Sequence, residues 1–166
     1  METQKVNMKD LKFAKKKPIT KTKAKKKAWD AFSLYIRTSN LKDGLVECYT
    51  CGNRRHLKEM SAGHAIGGRN NAILFDERIV KPQCAGCNIW GRGQYQIFAY
   101  KLIKELGMGV YEGILAEAQE PVQYKVYNYQ AIELIYKKKL AELFEDSKDK
   151  GVSKKAKVKK RMLQNK

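Results

Sequence analysis

The chain has 166 residues, with 35 Lys and Arg against 17 Asp and Glu and a formal net charge of +18. That length suits one domain with appendages; no apolar run approaches the ~18 residues of a membrane span, and the lysine-rich first twenty residues hold no apolar secretory segment. Membrane insertion and secretion are therefore not expected, nor is a disulfide scaffold from four cysteines in two tight pairs, and a cytoplasmic protein is.

The charge sits at the ends. Residues 1–27 hold 11 Lys and two acids, and residues 147–166 hold eight Lys, one Arg and one acid. The stretch 28–146 between them is close to neutral. Both ends are poor in large apolar residues and read as disordered basic arms, because they bury too little to offset chain entropy. Such arms suit contact with a polyanion, DNA above all, though they also serve solubility. Lysine is a point charge rather than a bidentate fork, which favours phosphate contact blind to sequence.

Within the core, residues 28–41 place Trp29, Phe32 and Ile36 on one helical stripe, ended by Asn40, Asp43 and Gly44. Residues 45–57 read as a short hairpin turning through Cys-Tyr-Thr-Cys-Gly-Asn. The apolar run 73–80 reads as a strand closed by Pro82. Tyr95, Phe98, Leu102 and Leu106 then recur at helical spacing, with Gly107 as the stop. A short helix is expected over 110–119, before Pro121, and a long one over 124–145 with Tyr129, Ile132, Tyr136, Leu140 and Leu143 on one face. These stripes are read as packing surfaces.

Two pairs, Cys48-x-x-Cys51 and Cys84-x-x-Cys87, carry the first chemical signal. Each brings two thiolates to one edge of a tetrahedron, and together they complete a four-cysteine structural zinc site with Zn–S bonds of ~2.3 Å. A redox dithiol or an iron–sulfur site is the alternative. Four protein ligands leave no open position, so this zinc is not expected to be catalytic.

Between the pairs lie Ser61-Ala62-Gly63-His64 and Gly67-Gly68-Arg69-Asn70-Asn71, and the second pair is followed by Asn88. A histidine after one strand, then a loop, a second strand and a helix opening with Asn is the order of a ββα-metal nuclease finger. There a neutral His takes a proton from water and a nearby divalent ion stabilises phosphate charge. A lone His among glycines also suits a purely structural hydrogen bond. Arg69 and Arg78 flank the proposed site and are expected to clamp phosphate, or to be ordinary surface arginines. His56, beside Arg54 and Arg55, reads as an exposed knuckle residue, while Tyr49 and Trp90 read as packing against the knuckles or stacking on an unpaired base.

The set Ala62-Gly63-His64, Phe75-Asp76-Glu77-Arg78 and Gln83-Cys84-x-x-Cys87-Asn88, continued through residues 100–107, resembles the NinG family of phage recombination proteins. The resemblance runs over residues 28–118. Its lambda member is a structure-specific endonuclease for branched DNA such as Holliday junctions and D-loops. The resemblance implies an α+β fold: a ββα-metal, HNH-like core with a Cys₄ zinc site, flanked by helices. It also implies His64 as general base and Asn88 as a ligand or close neighbour of a catalytic Mg²⁺ or Mn²⁺; beside these, Arg69, Arg78 and Asn70 are expected toward DNA phosphate. Many such nucleases carry Asp before the His; here it is Gly63, which leaves Ser61, Asp76 or Glu77 as the second ion ligand. The middle Asn of the pattern is Ile79, for which Asn70 or Asn71 is the substitute, and Gln94 stands where the family tends to have Asn. The expected function is a metal-dependent endonuclease for branched DNA in the phage-infected bacterial cell. The alternatives are a non-catalytic zinc module that binds branched DNA and an HNH enzyme that cuts duplex DNA. A homodimer through the helices of residues 94–145 would pair two active sites across a junction.

Overall fold

The computed structural model describes residues 17–68 and 70–149. Helix α1 (Lys21–Ser39) opens on Thr20, whose side chain accepts the Lys23 amide at 3.3 Å. The boundary expected at residue 28 falls inside this helix. Residues 21–27, read as part of an arm, are helical because the hydroxyl cap satisfies the first turn and Ala24 and Ala28 bury against Tyr129. Residues 147–149, read as the start of the second arm, are likewise helical, and residues 1–16 and 150–166 lie outside the described residues.

Three short strands follow: β1 (Leu41–Lys42), β2 (Leu45–Glu47) and β3 (Arg54–Arg55), antiparallel in that order. Asp43 and Gly44 make the first turn with φ of 49° and 78°, left-handed angles that Asp and Gly tolerate. The hairpin expected from 45–57 is thus present, with the first cysteine pair in its loop.

Strands β4 (Met60–His64) and β5 (Val80–Cys84) form a second antiparallel pair in the register His64 opposite Val80 and Met60 opposite Cys84. Pro82 was expected to close a strand and instead lies in the middle of one. Its carbonyl accepts the Tyr49 amide at 2.8 Å, on the side away from β4, so its missing N–H costs the β4 ladder nothing. A five-residue π-turn (Gly86–Trp90) comes next, then α2 (Tyr95–Leu106), α3 (Met108–Glu117) and α4 (Val126–Asp149). Gly107 ends α2 at φ 88°, as its composition predicts.

The strand expected over 73–80 is not one. Residues 65–68 and 70–79 form turns and bends whose apolar members Ile73, Leu74 and Ile79 are nevertheless buried. An apolar run shows only that a segment goes inside. Here the polar neighbours decide its shape: Asn70 Oδ1 accepts the Ala72 amide at 3.1 Å and Asp76 Oδ1 accepts the Arg78 amide at 2.8 Å. Those local bonds replace a ladder.

The core packs α1 across β4–β5 and against α4. Phe32, fully buried, meets Tyr136 edge-on at 4.8 Å and Phe75 at 5.6 Å, while Phe98 and Leu102 of α2 and Ile114 of α3 close it from the other helices. Of the helical stripes read from spacing, Tyr129, Tyr136 and Leu140 are buried, as are Phe98 and Leu102. No helix among the described residues is long and apolar enough to cross a membrane.

Candidate functional site

The cysteines converge. The β2–β3 loop carries Cys48 and Cys51, and the end of β5 with the π-turn carries Cys84 and Cys87; the four sulfurs lie within 4.8 Å of one another. Cys51 Sγ and Cys84 Sγ are 3.8 Å apart. A tetrahedron with metal–sulfur bonds of about 2.3 Å has edges of that length, so the donor set is one that zinc takes. The knuckle backbone supports it: the Gly52 amide donates to the Cys48 carbonyl at 2.9 Å, and the Cys84 amide donates to Cys48 Sγ at 3.3 Å.

Electrostatics divide the four. Burial pushes the Cys48 thiol up, but amides of Cys51, Cys84 and Thr50 and the Thr50 hydroxyl outweigh it, and its pKa falls to about 6. Burial and the neighbouring sulfurs hold Cys51 above its ordinary value and push Cys87 up to about 12. Four ionised sulfurs at this spacing repel one another, and a divalent cation at their centre removes that conflict.

Beside the cluster a cleft of about 380 Å³ opens between α1 and β4. His64 and Asn88 both line it, with Ser61, Trp29, Arg37 and Tyr95. His64 is buried; its Nε2 lies 3.1 Å from the Leu74 carbonyl, and Trp29 stacks on its ring at 5.1 Å and 17°. A carbonyl only accepts, so the neutral ring carries its proton on Nε2, and the basic lone pair belongs to Nδ1. Arg37 is the cation of the described lining. It donates to the carbonyls of Ser33, Leu57 and Met60 at 3.0, 3.1 and 3.2 Å.

The residue before His64 has no side chain for a local reason. A Cβ on Gly63 would lie 1.9 Å from Gln83 Oε1. Gln83 is fully buried, and its Nε2 donates to the Gly93 carbonyl at 2.8 Å and to Thr50 Oγ1 at 3.2 Å. That fixes the amide's orientation and turns Oε1 toward Gly63, where it has no hydrogen-bond partner.

The match to known proteins falls on this same chain of elements. The model of the bacteriophage lambda NinG protein family matches residues 1–146. The chain belongs to the NinG family. Comparison with curated proteins gives no match, and comparison with solved structures gives none. Membership points to a recombination-related role in phage.

Among the residues singled out in this NinG chain, the structure joins some and separates others. His64, Asn88 and Ser61 share the cleft. Arg78 does not line it: its guanidinium pairs with Asp76 at 2.6 Å and Glu117 at 2.5 Å, which binds the 65–79 loop to α3 and raises its pKa, through those same two hydrogen bonds above all. Asn70, expected toward phosphate, donates instead to the Ala118 carbonyl at 2.6 Å, and Asn71 donates to the Val122 carbonyl at 3.0 Å. Both asparagines brace the loop on which Leu74 orients His64. Asp76 is taken by Arg78, and Glu77 by Tyr136 and Lys139, so neither carboxylate faces the cleft as an ion ligand. Arg69 lies outside the described residues. Tyr49 packs, on Phe98 at 4.8 Å, and Trp90 does not, being 81% exposed. Arg37 went unnoticed in the sequence, Gln83 entered only as a member of the Gln-Cys-x-x-Cys-Asn set and Tyr95 only as part of a helical packing stripe; the Gly before His64 hinted that something fills the space of a missing side chain.

Proposed function

We propose that this NinG chain is a DNA endonuclease acting on branched recombination intermediates. The observation that carries the reading is the meeting of His64 and Asn88 in one cleft, from the end of β4 and from the turn after β5. The order of hairpin and helical turn supports a ββα-metal reading of this unit. In the reaction, Nδ1 of His64 takes a proton from water as the oxygen attacks phosphorus and the P–O bond to the leaving oxygen breaks. Leu74 and Trp29 hold the ring for that task, and Arg37 adds positive charge near the phosphate. A zinc ion in the four-cysteine cluster fastens β2–β3 to the π-turn and takes no part in the chemistry.

The residues fit a second, hard cation in kind. Asn88 and Ser61 line the cleft with oxygen, and Gln83 Oε1 is an orphaned oxygen on the β4–β5 hairpin, at the place of a side chain on Gly63. Oxygen donors are what Mg²⁺ or Mn²⁺ takes, and such an ion, when bound, supplies charge stabilisation at the scissile phosphate. No carboxylate lines the cleft among the described residues, so the charge of a bound ion would have to be balanced by DNA phosphate. That same lack of a carboxylate favours the second reading, a zinc module that binds branches without cutting them.

Two nicks across a junction need two such sites. Exposed Tyr127, Leu134 and Ile135 on α4 offer an apolar face for a two-fold pair. The test is a cleavage assay of the zinc-loaded protein with Mg²⁺ or Mn²⁺ on duplex, single strand, fork and four-way junction, with sedimentation of the junction complex. Preferred cutting of the branched substrates is expected. Tight branch binding with no cutting in either metal selects the binding-module reading, and equal cutting of plain duplex removes the branch.

A further inference from the structure

Immediately after Asn88 the chain turns outward. Ile89 is 61% exposed and Trp90 81%, although tryptophan is among the side chains that folded proteins cover best on average. This tryptophan is not on a loose segment. The Gly91 amide closes the π-turn on the Gly86 carbonyl at 2.7 Å, and the Gly93 amide bonds the Cys87 carbonyl at 2.9 Å. From inside the core, Gln83 Nε2 holds the Gly93 carbonyl. Arg92, Gly93 and Gln94 take φ of 50°, 86° and 52° in succession, a conformation that two of them, not being glycine, adopt only under restraint. The loop is fastened to the cysteine cluster on one side and to a buried amide on the other, so Trp90 is held out into solvent.

Its surroundings specify the kind of partner. Arg92 is exposed beside it, and Tyr95, 48% exposed, lines the cleft. Residues 79–104 contain four basic residues and no acidic one. Flat aromatic rings next to Arg92, in a stretch of chain without carboxylates, are the composition of a platform for unpaired bases. A continuous duplex hides its base faces in the stack; a branch point exposes them.

We infer that Ile89 and Trp90 form a wedge that enters the branch point, Trp90 stacking on an unstacked nucleobase and so setting the adjacent cleft on the neighbouring phosphate. This rests on the reading of the cleft as a DNA site and adds to it the feature that would tell branch from duplex.

The test measures binding only, with zinc-loaded full-length protein and no added Mg²⁺ or Mn²⁺, on a four-way junction and on linear duplex, with 2-aminopurine at the branch. Trp90→Ala is expected to weaken junction binding about ten-fold or more, the scale of one base–aromatic stack, and to leave duplex binding within about two-fold. Trp90→Phe is expected to keep most of the preference. The wild-type protein should quench the branch 2-aminopurine and Trp90→Ala should not. Because the side chain is exposed, zinc content and melting temperature should not change. Equal losses on both DNAs, no loss on either, or a wild-type protein without junction preference would overturn the inference. So would retained junction binding with loss of a dimer in sedimentation, which assigns the surface to a second copy of the chain. A protein that passes this test and cuts nothing removes the nuclease reading and leaves the wedge in place.

Discussion

The two ends of the β4–β5 hairpin are restrained by different physics. At the Met60–Cys84 end, four sulfurs gather from distant parts of the chain and their mutual repulsion makes the region depend on a cation. At the His64–Val80 end, the turns of 65–79 are held by many neutral and charged hydrogen bonds, each worth about 1 kcal/mol net. One end is a single strong restraint that a chelator can remove, and the other is a set of weak ones that no single change removes. The cleft lies between them and takes Asn88 from the first and His64 from the second.

The largest effect should come from the sulfur end. Cys48→Ser should abolish zinc uptake and unfold the knuckles, since metal affinity of about 10 kcal/mol or more is folding energy in such sites. Metal analysis with circular dichroism checks it, and a well-folded, metal-free variant would erase the contrast. Loading also demands that Cys51 and Cys87 give up protons that burial helps to hold on them, with Cys87 at about 12. Protons and zinc compete, so affinity should rise with pH through neutrality and fall on acidification. Chelator competition at two pH values reads the sign.

Next comes the chemistry of the loop end. His64→Ala should slow cleavage by about 10² or more, the usual contribution of a general base, with junction affinity nearly intact. His64→Gln, which keeps a polar group near the Leu74 carbonyl, guards against a loss that is only structural. Cleavage at the wild-type rate would show that the ring serves the loop and not the reaction.

A smaller effect belongs to the junction of the two regions. Gly63→Ala would set a methyl against Gln83 Oε1 and force the amide off Gly93 and Thr50. A cost of about 1–3 kcal/mol is expected for such overpacking, visible as a lower melting temperature with zinc still bound. Smallest is Asn70→Ala, at about 1 kcal/mol for the lost bond to Ala118. Thermal melts and hydrogen exchange at residues 70–79 should show a local loosening, and exchange near Cys84 should not change.

The contrast also explains what could be read from residues alone. The cysteine spacing fixes a local chemistry, so the cluster was legible. Periodicity located α2 and α4 to within a few residues, because those helices bury one stripe each. It placed the start of α1 late, since Ala24 and Ala28 bury without being large and Thr20 is a cap hidden among lysines. The stretch 73–80 misled because its apolar residues are buried from turns: Asn70 and Asp76 bond their own neighbours two residues on, and Asn70 and Asn71 also reach Ala118 and Val122, partners that no local pattern names. His64 and Asn88 were singled out by order along the chain, and the fold brings both to one cleft. That Arg78 and Asn70 face helices rather than the cleft follows from the positions of Glu117 and Ala118, which no local pattern reveals.

The stacking of Trp29 on His64 has an optical consequence. A protonated imidazole quenches indole emission far better than a neutral one, and these two rings lie 5.1 Å apart. The chain has two tryptophans, and the other, Trp90, stands in solvent. In a Trp90→Phe protein the remaining emission therefore comes from Trp29 alone. Its intensity against pH is a titration curve of His64, recorded by the molecule's own chromophore without DNA, metal or any attached dye.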